Sequence, residues 1–370
     1  MRYLPAALFG VFLFGITIWD LTLPTRTMSE LENRPLTAQA TPTLRSIWDG
    51  SFSKRYEQLV SDQFLWRDIW IGIKSITQSA LGKIENNGVV YGADGYMFEK
   101  AQALDEDQLA ANIEHLVSFA QSNPGENLTL TIVPNSYAIM ADYLPRGLNN
   151  IDQLSFISDI YDKTSQARWD ICDISPTLLS AHQAGEYIYY RTDHHWTTWG
   201  AYLAYSEYVR GLGSEPHPWN MYDEKKAPYF YGTYHSKSLL HSAIPDVITY
   251  FDIPNLEFSI NGVDKDSLYD FSKFDTRDKY SAFLQGNNAI SVIKSSNPGA
   301  RGSILLIKDS YGNSLAQFLA ANFQEVYVAD LRHIFDISEI LTQKEFDQIY
   351  LIYNFSSFTS DVHIAKLHYG

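Results

Sequence analysis

Residues 303–313 read SILLIKDSYGN and continue as SLAQFLAA (314–321) and EVYVA (325–329). Ser303 to Ile307 is apolar after its first residue, too short for a helix and without the alternation of a half-solvated strand. It therefore reads as a strand buried on both faces. Gly312 permits a tight turn, Asn313 to Ala321 carries helical spacing, and Glu325 to Ala329 reads as the next strand. Working outward, the same alternation recurs. Strands are predicted at Leu128 to Val133, Trp169 to Ile174, Tyr187 to Arg191 (YIYYR) and Gln348 to Tyr353. Helices are predicted at Leu104 to Ser122, Ile151 to Arg168, Pro176 to Gln183, Thr198 to Leu212 and Ile334 to Leu341. Buried strands alternating with amphipathic helices define an α/β fold, with a parallel sheet covered by helices on both faces.

The flanks of this core have a different character. Tyr3 to Trp19 carries no charge, with Arg2 before it and Asp20 after it, and is about three residues short of the roughly 20 that cross a bilayer. Residues 1–21 are expected to be an uncleaved signal anchor, with a cleaved signal peptide as the alternative, and either leaves the rest of the chain outside the cytoplasm. Residues 22–50, with Pro24, Pro35 and Pro42, read as a linker, and residues 51–370 as the folded domain. Ser51 to Leu81 has helical spacing, and Val89 to Phe98 (VVYGADGYMF) reads as a hairpin around Asp94 and Gly95. From Gly213 to about Gly302 the pattern breaks into irregular, β-rich sequence, expected to be a substrate-facing insertion.

Composition narrows the function. Among 370 residues, 28 Lys and Arg face 43 Asp and Glu, a net charge of −15 with no long basic run, which makes nucleic acid a poor candidate partner. The 25 Tyr and 8 Trp suit stacking on sugar rings, although most such residues serve the core. Cys172, the only cysteine, sits in the apolar segment WDICDI and reads as a small buried hydrophobe. No cofactor motif is present in the sequence.

Two runs concentrate chemistry. In Arg191 to Trp196 (RTDHHW), an extended backbone puts Asp193 and His195 on one side, where the carboxylate can orient the imidazole. The same residues suit a cap for the following helix, as do Thr197 and Thr198. In KDSYGN (308–313), Ser310 sits between strand and helix, the setting for an exposed hydroxyl with backbone N–H groups beside it, although Ser310 or Asp309 can equally cap the helix. Together the runs supply a nucleophile, a base and its orienting acid. A metal site is the rival: Asp193, His194 and His195, joined by His235, His241 or His333, would form a nitrogen and oxygen shell. Adjacent His194 and His195 pointing opposite ways weigh against it.

Asp193-His194-His195-Trp196 is the run that names the DHHW family, and the sequence resembles that family from about residue 30 to 353. ENRPL (32–36), VVYGADGYMF, RTDHHWTTWGAYLAY, FYGT (230–233) and KDSYGNS (308–314) carry the likeness. The sequence is also similar to the SGNH-hydrolase-like domains of the alginate O-acetylation proteins AlgJ and AlgX. That resemblance implies an SGNH-hydrolase-like fold, with Asp193 and His195 as acid and base and Ser310 as nucleophile. Tyr311, Gly232 and Asn135 are candidates, beside the Ser310 N–H, for oxyanion or substrate contacts. His194 between acid and base, and Asp309 before the serine, depart from the pattern. The resemblance further implies a polysaccharide substrate and a membrane-bound O-acyltransferase as acetyl supplier. The expected function is an O-acetyltransferase or acetylesterase. A non-catalytic carbohydrate-binding protein and a metal-dependent hydrolase are the alternatives.

Overall fold

Alternate side chains of the strand Ser303–Lys308 enter two separate cores: Ile304 and Leu306 join one, Leu305 and Ile307 the other, and all four are fully buried. Each such side chain contributes roughly 1.5–3 kcal/mol of burial. This is the double-sided burial that the apolar run predicts. The computed structural model describes residues 3–100, 103–148 and 150–367. Its large sheet contains β1 (Leu128–Val133), β2 (Asp170–Ile171), β3 (Leu256–Ile260), β4 (Val263–Lys265), β5 (Ile290–Ser295), β6 (Ser303–Lys308), β7 (Glu325–Ala329) and β8 (Gln348–Asn354), in the order β4-β3-β5-β7-β6-β8-β1-β2.

On one face, the helices Ser175–Gln183, Thr198–Gly211 and Gly312–Leu319 supply Leu178, Tyr205, Tyr208, Leu315 and Phe318. On the other, Glu106–Ser122 and Gln153–Ser165 supply Leu116, Phe119, Ile157 and Ile160. Much of the tyrosine content is spent here. Tyr208 and Tyr350, both buried, stack with ring centres 4.0 Å apart.

The sheet departs from the expected all-parallel form. β7, β6, β8, β1 and β2 are mutually parallel, but β5 pairs antiparallel with β7, β3 with β5, and β4 with β3. All three antiparallel strands come from the irregular 213–302 segment, so part of that segment completes the sheet. The segment also forms an antiparallel ribbon, Asp223–Phe230 with Asp246–Asp252. Tyr187 to Arg191 is not a strand, because only Tyr189 bridges, to Trp196. Of Ile334 to Leu341, only Ser338–Leu341 is helical. The hairpin forms as expected: Val89–Tyr91 pairs with Met97–Glu99, and Asp94 and Gly95 take positive φ.

The chain divides into two compact units, residues 1–87 with 235–243, and 88–234 with 244–370. In the smaller, the expected helix Ser51 to Leu81 breaks into Ser51–Gln63 and Arg67–Ala80 at Trp66, whose φ is 57°. The ENRPL run acts there as a clasp. Arg34 pairs with Asp62 at 2.6 Å and with Glu32 at 3.1 Å, and Glu32 also takes Arg67 at 2.5 Å. Leu4–Thr22 is helical, but among the described residues no helix is long and apolar enough to cross a membrane. The transmembrane anchor expected over residues 1–21 is therefore not supported.

Candidate active site

β6 lies where the strand order reverses, with β7 on one side and β8 on the other. Crevices at the carboxyl ends of strands at such a switch point are the usual ligand sites of α/β sheets. The chain leaves β6 through Lys308 and Asp309, presents half-buried Ser310, and enters the helix Gly312–Leu319. The turn is tight enough to need glycine, because a Cβ on Gly312 would stand 2.5 Å from the Cβ of Lys308. Asp309 fixes it: its carboxylate accepts the N–H of Tyr311 at 2.9 Å, the N–H of Asn354 at 2.9 Å and the Asn354 side-chain amide. Burial pushes the Asp309 carboxyl up, opposed by these donors. Neither side chain caps the helix: the Asp309 carboxylate braces the turn before it, the N–H groups of Gly312 and Asn313 go to the backbone carbonyls of Asp309 and Ser310, both at 3.2 Å, and the serine hydroxyl is turned elsewhere.

It faces His195. Ser310 Oγ lies 2.8 Å from His195 Nε2, and His195 Nδ1 lies 2.5 Å from Asp193 Oδ1. Asp193 and His195 come from a turn and not from an extended strand. The turn is closed by the Tyr189–Trp196 bridge and by Tyr190 N–H donating to His195 O at 3.2 Å. Asp193 Oδ1 also accepts the His195 backbone N–H at 3.0 Å, which locks the pair locally, and Oδ2 accepts the Thr233 N–H at 2.7 Å. Burial raises the Asp193 carboxyl, but His194, His195 and these donors outweigh it and hold the group well below the usual carboxylate range. An ionised carboxylate at Nδ1 leaves Nε2 free to accept the serine proton.

Three residues that the sequence did not single out hold the turn. Buried Asp246 accepts the N–H groups of Arg191 and Thr192, both at 2.8 Å, and the Thr192 hydroxyl at 2.6 Å. Thr233 binds His194 Nδ1 through Oγ1 at 2.7 Å besides capping Asp193. Tyr280 lies face to face with His195. The motif's own Trp196 ties the two runs together, donating from Nε1 to Tyr311 O and Ser314 Oγ, both at 3.1 Å. Asp246 and Tyr280 lie in the irregular segment, where no periodicity marks them. FYGT, which ends at Thr233, was the one available signal.

The remaining candidates occupy defined places. Gly232 sits against Asp193, where a Cβ would lie 2.2 Å from the aspartate Cβ, and its N–H donates to Thr192 Oγ1 at 3.0 Å. Tyr311 is buried, gives its N–H to Asp309 and bonds its hydroxyl to His194 O. Asn135 is buried at the end of β1, bonding Asn354 and Gln153. The hydrogen-bonding groups of all three are thus engaged with protein.

The His194 ring lies against His195, with ring centres 3.7 Å apart and planes tilted by 39°. Burial first and the neighbouring imidazole second push it down to about 4, so it is neutral at pH 7. Ligand atoms of Asp193, His194 and His195 lie within 4.8 Å of one another, a group that could hold a metal ion. Both His195 nitrogens and His194 Nδ1 already face protein partners, and His235, His241 and His333 are not part of the group. Cys172 is half-buried, bears no relation to this site in its contacts, and burial pushes its thiol up to about 11, far from thiolate chemistry.

Comparison with solved structures shows the same fold in two of the three described here. A DHHW family protein from Eubacterium siraeum matches with a TM-score of 0.63 at 22% identity, over 76% of this chain and 96% of that one. Bacillus cereus PatB1, solved with a sulfonyl adduct, matches with a TM-score of 0.61 at 15% identity, over 76% and 100%. The O-acetyltransferase domain of Pseudomonas putida AlgJ gives 0.49 at 16%, over 76% and 98%. A search of curated proteins gave no match. The family model described as DHHW protein matches residues 89–329, which contain Asp193, His195 and Ser310. The chain belongs to the DHHW protein family.

Proposed function

We propose that the protein is an O-acetyltransferase or acetylesterase acting on a polysaccharide through an acetyl-serine intermediate. The observation that carries this reading is the hydrogen-bonded sequence Asp193 Oδ1, His195 Nδ1, His195 Nε2, Ser310 Oγ, with spacings of 2.5 and 2.8 Å. Ser310 Oγ attacks the acetyl carbonyl carbon while its proton passes to His195 Nε2, and Asp193 stabilises the imidazolium. His195 then gives that proton to the departing group, leaving an acetyl ester on Ser310. In the second half a sugar hydroxyl, or water, attacks the ester as His195 takes its proton. The Ser310 oxygen leaves and is reprotonated. The N–H groups of Tyr311, Gly312 and Asn313 are bonded within the turn, so the backbone N–H of Ser310 is the donor there that would meet the oxyanion.

The structural likeness to PatB1, a protein solved with a sulfonyl adduct, is compatible with this reading. The uncharged stretch Tyr3 to Trp19 supports a place outside the cytoplasm, and the resemblance to alginate O-acetylation proteins supports a membrane-bound O-acyltransferase as acetyl supplier. The test is intact mass of the protein after exposure to an activated acetyl ester. One acetyl group mapping to Ser310, lost in Ser310→Ala and slowed in His195→Ala, is expected. Unchanged acetyl turnover in Ser310→Ala would overturn the reading.

A further inference from the structure

The turn that presents Asp193 and His195 also forms one wall of a separate cavity of about 570 Å³. Tyr187, Arg191, Trp199, Trp219, Glu186 and Glu224 line it, while Asp193, His195 and Ser310 do not. Trp199 and Trp219 are half-buried and meet edge to face, ring centres 4.9 Å apart and planes at 88°. Both are held from behind. Trp199 Nε1 donates to Glu186 at 2.5 Å, and Trp219 packs edge-on against Phe251 at 4.8 Å. Tyr187 is fixed by a hydrogen bond to buried Asp246, the carboxylate that also clamps Arg191 and Thr192. Rigid aromatic rings with a few fixed polar groups are what a concave ligand site needs. Rings of this kind match the C–H faces of pyranoses, and exposed carboxylates such as Glu186 and Glu224 accept sugar hydroxyls.

Charge decides which saccharide. The cations in the wall are already engaged: Lys226 Nζ lies 3.0 Å from Glu224, and the Arg191 guanidinium rests over the rings of Tyr187 and Tyr96 at 4.9 and 5.1 Å. A polyuronate would meet carboxylates here on a chain of net charge −15, whose field opposes its approach.

We propose that this cavity is a binding subsite for an uncharged saccharide chain, holding the acceptor polymer on the same turn that carries His195; this rests on the acetyl-transfer reading above. The full chain is titrated by calorimetry with a panel of uncharged hexasaccharides (β-1,4-glucan, α-1,4-glucan and β-1,4-mannan) and with a hexameric polyuronate. At least one uncharged probe is expected to bind the wild type and Ser310→Ala alike, and Trp219→Ala roughly tenfold more weakly, with the uronate binding less well than any probe that binds. Because Trp219 also packs inward, Glu186→Ala, an exposed position, is the second variant. It should weaken the same probe severalfold with thermal unfolding unchanged. Binding of no uncharged probe, tighter binding of the uronate, or wild-type affinity in both variants overturns the proposal. An acetyl adduct on Ser310 with no dependence on Trp219 or Glu186 sinks the cavity proposal alone. Trp219-dependent binding without any adduct sinks the acetyl-transfer reading instead.

Discussion

The phenol ring of Tyr280 lies over the His195 imidazole, ring centres 3.7 Å apart and planes 11° from parallel, and its hydroxyl donates to the carbonyl of Ser310 at 3.1 Å. One buried side chain thus touches both the base and the turn that carries the hydroxyl. It also offers a π-face to the imidazolium that forms when the serine proton moves. Tyr280→Ala is expected to lower kcat for acetyl transfer by about 10²-fold through misplacement of the base. Tyr280→Phe keeps the stack and loses the hydroxyl's bonds to Ser310 O and Ser314 Oγ, each worth about 1 kcal/mol, so it should fall by about 30-fold at most. Steady-state rates with an activated acetyl ester check this, and equal rates in Tyr280→Ala and wild type would refute a positioning role.

Asp193 accepts from the ring and the backbone of His195 and from Thr233, so an amide in its place keeps the shape and loses the acceptor. Asn presents an N–H₂ to one of those donors and stabilises the wrong imidazole tautomer. Asp193→Asn is expected to cut kcat by about 10⁴-fold with the fold retained. Circular dichroism beside the rate measurement separates this from unfolding. A loss below tenfold would show that His195 does not depend on the carboxylate.

Gly232 has no room for a side chain: a Cβ would stand 2.2 Å from the Asp193 Cβ and 2.3 Å from Oδ2. Its φ is not in the left-handed region, so close approach alone demands glycine here. Gly232→Ala must push Asp193 away from His195 or displace the FYGT segment. The expected cost is about 1–3 kcal/mol of stability, together with loss of most acetyl transfer. Urea unfolding and the acetyl-ester rate check both. Wild-type values in each would mean that the segment yields freely.

The parts of the molecule that were legible from sequence are those governed by short-range pattern. The runs at 128–133, 303–307 and 348–353 have no charged residue and lie buried side by side in the sheet, and Ser310 falls at the end of one of them. The Asp193 and His195 pairing was readable for the wrong reason. Their side chains meet because Asp193 closes a turn onto the His195 N–H, and an extended strand has no part in it. Asp246 and Tyr280 were out of reach, because each acts across 30 or more residues from a segment without period. Their partners, Thr192 and His195, lie in a distant run, so only the tertiary structure brings them together. The clasp of Arg34 with Asp62 was equally hidden, since opposite charges 28 residues apart carry no mutual signal.

His194 provides a test through acid stability. Its folded value is about 4 against an ordinary 6.5, because burial and the adjacent His195 both disfavour its charged form. Between those values the unfolded chain binds a proton that the native protein does not. Native stability therefore rises with pH from about 4 to 6.5 and is fully present above that range. The side chain is 32% exposed, so solvent screening trims the effect to about 1–2 kcal/mol. His194→Gln removes the titration and can still bond Thr233. Urea unfolding at pH 4.5 and at pH 7.5 should show wild type losing about 1–2 kcal/mol more than His194→Gln on acidification. Equal losses would mean that His194 is protonated in the native state. A positive charge would then sit against His195, and the base could accept a serine proton only against that repulsion.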